Sequence, residues 1–232
     1  MLRNEQTRLM AIFGGFFFAC IAGAINMVVL LSTAHAAVSH LTGTISLLAR
    51  AAITGDESGA TLRLAVVLSG FLIGAILAGV VVGDGRLSFR RRYGVLSVIE
   101  GLLLLAAFYL FQTQRAVPAE GICALVCGLQ NGMVTTVSGA IVRTTHLTGI
   151  ITDIGTHIGR ILRGERLDRV RMILHLSILG GFVSGAIGTV VAFPLAGYRI
   201  LIAVSCALVL FGVTYFCVRQ WVYAHLPSND AD

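Results

Sequence analysis

Apolar residues fill long runs of this chain, and polar positions collect between them. Leu9 to Leu31 and Leu64 to Val82 carry no charge. Gly94 to Phe111 is broken only by Glu100, near its middle. A fourth run starts by Pro118, a residue suited to a first helical turn, and reaches Val137. Met172 to Leu195 and Ile200 to Val218 complete the set. Each is close to the roughly 20 residues that a helix needs to cross a bilayer. Two further apolar segments, 36–53 and 143–161, are interrupted by His40, Thr42, Gly43 and Arg50 and by His146, Thr148 and Gly149. Thr can cap a following turn, so both read as broken elements, the first resuming as a helix near Thr44.

The interrupted segments are copies of one another. His40-Leu41-Thr42-Gly43 returns as His146-Leu147-Thr148-Gly149, 106 residues on (40 to 146). Upstream, Ala22-Gly23-Ala24-Ile25-Asn26 parallels Cys127-Gly128-Leu129-Gln130-Asn131. Downstream, Gly70-Phe71-Leu72-Ile73-Gly74-Ala75 parallels Gly181-Phe182-Val183-Ser184-Gly185-Ala186. Three matches in the same order define two related halves. The chain divides into a polar tail 1–8, a first repeat 9–111, a second repeat 112–223 and a polar tail 224–232. Ala34-His35-Ala36 has the small-residue pattern of a cleavage site, but the run before it is longer than a signal peptide's core and has a partner in the second half. It reads as a retained transmembrane helix.

The pieces Gly128-Leu129-Gln130-Asn131 and Arg143-Thr144-Thr145-His146-Leu147-Thr148-Gly149 resemble the YoaK-like family of bacterial inner-membrane proteins, catalogued as a domain of unknown function. The resemblance covers roughly residues 10 to 220. It implies a polytopic fold and an inner-membrane location, and no reaction. Members often carry Asn directly after Thr-Gly; Thr44 and Ile150 stand there in this chain.

Composition agrees with a lipid solvent. Of 232 residues, 56% are hydrophobic and 12% charged, against about 25% charged in soluble domains. Mean hydropathy is +0.89. The net charge of +6 rests on Arg alone, and these Arg flank apolar segments without the interleaved aromatics of a nucleic-acid surface, so a nucleic-acid partner is not expected. The five Cys lie inside apolar runs and are odd in number, so no disulfide framework follows. No cofactor or metal motif appears.

Charge also sets the topology. If the broken elements do not cross and the amino terminus is cytoplasmic, 13 of the 17 Arg lie inside, and Arg50, Arg63, Arg115 and Arg199 lie outside. This is a strong positive-inside bias, with both termini cytoplasmic. Full crossing by both elements would move Arg86, Arg90, Arg91 and Arg92 outside. Three spans per half then give halves of opposite orientation. Asp56 and Glu57 after the first broken element, against five Arg between 160 and 171 after the second, place those two exits on opposite faces. The expected architecture is an all-α integral membrane protein: six transmembrane helices as an inverted 3+3 repeat with two broken or re-entrant Thr-Gly elements. Such repeats with paired interruptions mark transporter and channel folds.

An interrupted helix exposes unpaired N–H groups where it resumes, and lipid offers them no partner. Two such starts, meeting near the midplane, would favour an anion or a polar solute oxygen. The candidate substrate-binding residues are therefore His40, Thr42, Gly43, His146, Thr148 and Gly149, with Asn26 and Asn131 beside them. A break merely sealed by packing reads equally well. Glu100, Asp153 and Arg143 are candidates for coupling or charge pairing, since intramembrane ionisable groups are functional by default. Asp153 could instead be a first-turn acid of its helix. Gly70, Gly74, Gly181 and Gly185 form Gly-x-x-x-Gly pairs suited to close helix packing and also to a homo-oligomer. Three functions compete: a transporter or channel for a small solute, anionic or neutral; a scaffold, sensor or assembly partner; and an intramembrane enzyme. No HExxH, nucleophile elbow or paired acids favour the last.

Overall fold

The computed structural model describes residues 5–32, 38–55, 59–82, 91–138 and 145–225, without the side chains of 5–7, 91, 219 and 221–225. Arg143, Asp56, Glu57, Arg86 and Arg90 lie outside the described residues, as do the side chains of Trp221 and Tyr223, expected at an interfacial belt. Every regular element among the described residues is helical: α1 (Glu5–Leu30), α2 (Leu41–Thr54), α3 (Ala60–Val82), α4 (Arg91–Gln112), α5 (Ala116–Ser138), α6 (Leu147–Leu162), α7 (Arg169–Ala196) and α8 (Ile200–His225). A 3-10 turn, Gly197–Arg199, separates the last two. There Gly197 adopts φ +53°, a left-handed conformation that ends α7 and suits a residue without Cβ.

Five helical stretches are long and apolar enough to cross a membrane: Arg8–Leu30, Ala60–Val82, Arg92–Gln112, Ala116–Thr135 and Arg169–Val218. The fifth has 50 residues and holds both α7 and α8. At 14 residues, α2 is too short. Apolar side chains cover the outside as well as the core, with Ile53 88% and Leu195 94% exposed. A helix apolar all round belongs in lipid, so this is a multi-pass membrane protein.

The long helices pack as three pairs: α1 with α7, α3 with α5, and α4 with α8. Glycines set the first two. A Cβ on Gly181 or Gly185 would run into the carbonyl oxygens of Phe16 and Cys20, so α1 and α7 rise in step and are parallel. Gly70 and Gly74 meet the carbonyls of Gly121 and Leu125 in the same way, so α3 and α5 are parallel too. The register is that of the repeat: α1 maps onto α5 at +105 (16 to 121, 20 to 125), and α3 maps onto α7 at +111 (70 to 181, 74 to 185). The return contacts obey it as well, since Gly23 meets Phe182 and Gly128 meets Phe71. Between α4 and α8, Gly94 faces Gly212 while Gly101 faces Ser205, so this pair is antiparallel. Phe211 of α8 stacks on Phe17 of α1 with centroids 4.9 Å apart, level with Gly181, which shows α8 running back beside α7. The short link at 113–115 likewise reverses α5 on α4. The six long helices thus alternate in direction along the chain. Of the two short ones, α2 rests on α3 and α6 on α7.

Candidate functional site

Each copy of the repeated motif is held by an Asn from the preceding long helix. Asn26 Oδ1 accepts hydrogen bonds from the Ser39 backbone N–H and the Ser39 hydroxyl, both at 3.1 Å. Its Nδ2 stands 3.4 Å from His40 Nδ1. In the second copy Asn131 Nδ2 donates to the Thr145 hydroxyl at 2.8 Å. The tether brings the chain into its helix at the same backbone angles, φ −94°, ψ 62° at His40 and φ −92°, ψ 59° at His146. The histidines, not the threonines, are therefore the N-terminal flanking residues, and neither caps with its side chain. The expected start near Thr44 is corrected by one turn, because the Asn tether fixes the residue before His and leaves Thr42 and Thr148 inside the first turn. Among the described residues, Ser39 and Thr145 are the partners that sequence reasoning missed. Their signal was a hydroxyl directly before His in both copies.

The two copies do not meet in a shared midplane cavity. Gln130 Nε2 of α5 donates to the Phe18 carbonyl of α1, which sets the level of these antiparallel helices. Asn26 then stands about nine residues, about 14 Å, beyond the level of Asn131 at 1.5 Å per residue. His40, Thr42, Gly43, His146 and Thr148 are exposed, and Gly149 is half-buried. The His146 ring lies over Gly149, where a Cβ would meet its Nε2 at 2.8 Å, whereas nothing lies within 4 Å of a Cβ at Gly43.

What the structure does hold is an open depression of about 350 Å³ between α3 and α5, beside the second motif copy. Asn131, Thr135 and His146 supply its polar groups, Gly79 leaves backbone bare, Gly132 packs against Ala75 and Ala78, and Phe71 and Ala75 form an apolar wall. In the repeat register Gly132, Thr135 and Gly79 correspond to Met27, Leu30 and Val190, larger side chains beside the first copy. An amide, an imidazole and a hydroxyl around bare backbone can exchange hydrogen bonds with a small polar solute.

The remaining candidates lie elsewhere. Glu100 is fully enclosed between α4, α5 and α8, and neither of its oxygens has a hydrogen-bond partner among the described residues. Asp153 does not point inward: its side chain is 58% exposed on α6, with Oδ2 3.7 Å from Nε2 of the buried His175. The polar face of α6 carries it, because the apolar face of that helix turns Ile150 and Ile154 toward α1 and α7. Gly70, Gly74, Gly181 and Gly185 all sit at backbone contacts between helices. Sequence reasoning also missed Glu120, fully buried, with Oε2 3.3 Å from Arg63 Nε. Only the pairing of an acid and a base at the starts of α5 and α3 could have signalled it.

A model of the family described as "Protein of unknown function (DUF1275)" matches residues 14–214, so the chain belongs to that family, in keeping with the resemblance read from the motifs. Comparison with curated proteins and with solved structures finds no match.

Proposed function

We propose that this member of the DUF1275 family is a bacterial inner-membrane transporter or channel for a small polar solute, bound between α3 and α5 at Asn131, Thr135 and His146. The observation that carries this reading is the depression itself, where polar side chains adjoin bare helix backbone inside an apolar bundle. The alternating directions of the six long helices support six crossings with α2 and α6 not passing through. If both short helices crossed, α4 and α8 would be parallel. With the Arg distribution, this favours cytoplasmic termini and an inverted 3+3 repeat. The solute site of this reading lies beside the second motif copy and takes its other wall from α3 of the first half, and it needs neither a cofactor nor a catalytic group.

A second reading is a scaffold or self-associating protein, favoured by the exposed Thr-Gly starts of α2 and α6. The two separate in one experiment. Purified protein is screened by thermal shift against small anions and neutral polar solutes, and hits are carried into liposome flux assays alongside Asn131→Ala and Thr135→Val. A solute that stabilises wild type and crosses liposomes, with both effects lost in the variants, supports transport. No stabilising solute together with a concentration-dependent oligomer supports the scaffold.

A further inference from the structure

Two carboxyl groups are wholly buried in this bundle, and the chain treats them differently. Glu120 begins a file of side chains on one face of α5, followed by Cys123, Cys127 and Gln130 at i+3, i+7 and i+10, all fully enclosed. Arg63 of α3 reaches the Glu120 carboxylate at 3.3 Å and balances its charge. Glu100 lies on α4 beside the same file, facing Cys127, and has no cation within ion-pair distance among the described residues. The polar groups nearest in sequence and across the interface are already committed. The Ser97 hydroxyl donates to the Tyr93 carbonyl at 3.2 Å, and the Ser205 hydroxyl of α8 donates to the Gly101 carbonyl at 2.7 Å. Backbone contact between Gly101 and Ser205 leaves no room for a side chain to swing in from α8. Cys127 is the titratable group facing Glu100 from α5; α8 presents Ser205 and Val209 at this level.

An isolated carboxylate in such a place is far costlier than the neutral acid. A metal cation needs several ligands, and no cluster of three or more His, Cys, Asp or Glu side chains that could hold one occurs among the described residues. A proton needs only the carboxylate. We infer that Glu100 is a proton-binding site at the centre of the bundle, and that proton uptake and release there is coupled to solute movement. The carboxylate takes a proton from water to form its O–H bond and returns it by the reverse step, with no other bond made or broken. The coupling rests on the transport reading; the proton site does not.

The test uses full-length protein in detergent and an apolar carbodiimide, which adds to protonated carboxyl groups in apolar surroundings. The expected result is a mass adduct on the peptide holding Glu100, its yield falling as pH rises, and none in Glu100→Gln. In parallel, the wild-type-minus-Glu100→Gln infrared difference should contain the carbonyl band of a protonated acid, with Glu100→Asp as the acid-retaining control should Glu100→Gln fail to fold. An unlabelled Glu100 with no such band overturns the proposal. An adduct and band in a protein that moves neither solute nor protons across liposomes keeps the proton site and overturns the coupling, and the failure then lies with transport. Solute flux that collapses a pH gradient in wild type, and proceeds without doing so in Glu100→Gln, is the result expected for both.

Discussion

Gly74 and Gly185 occupy one position of the repeat, and each replacement by Ala should cost the same stability. At Gly74 the new Cβ would meet the Leu125 carbonyl and approach the Leu129 N–H at 2.7 Å. At Gly185 it would meet the Cys20 carbonyl. Both obstacles are helix backbone, so relief requires the helices to separate. Forcing extra atoms into a packed interior costs about 1–3 kcal/mol, and rigid backbone puts these sites in the upper part of that range. Replacing a mid-helix Gly by Ala returns about 0.5–1 kcal/mol of helix propensity. The net loss is about 1–2 kcal/mol for each variant, roughly a 5- to 30-fold change in the folded-to-unfolded ratio. The two lie on different helix pairs, so the double variant should lose about the sum. Unfolding by SDS in mixed micelles, followed by circular dichroism, measures this. Equal stability of either single variant and wild type refutes the close-approach reasoning, and a loss at one site only refutes the residue-by-residue equivalence of the halves.

Gly43→Ala should be neutral in the same assay, because its Cβ meets nothing, while Gly149→Ala should displace the His146 ring and weaken any solute-induced thermal shift. Asn26→Ala should cost about 1–3 kcal/mol by stranding the buried Ser39 N–H; an Asn26→Ala variant as stable as wild type would sink the tether account. Reporter fusions after Arg92 and Arg166 should read cytoplasmic and a fusion at Gly59 external; a cytoplasmic Gly59 removes the inverted arrangement.

The long helices were legible because lipid imposes length and apolar content on every crossing segment, and the runs at Leu64–Val82 and Ile200–Val218 closely match the cores of α3 and α8. The duplicated residues were legible as well, and the same register governs the glycine contacts. What the sequence withheld was depth. Two identical motifs invite a meeting point, but where they lie depends on how far along antiparallel α1 and α5 each Asn sits, and that level is set by one long-range bond from Gln130 to Phe18. Asp153 eluded reading for a similar reason: only the placement of α6 against α7 decides which face is left uncovered. Glu120 lay hidden because its partner, Arg63, is far away in sequence and reads as an ordinary loop charge.

The glycine contacts between parallel helices also decide what can move as a body. The units fastened most closely are α1 with α7 and α3 with α5, and each draws one helix from either half of the sequence. Rocking one half as a block against the other would tear both fastenings at once. A motion that spared both fastenings would have to fall between the two composite pairs, where the Gln130–Phe18 bond joins α5 to α1. The repeat in the sequence and the tightest packing units thus divide the bundle along different lines.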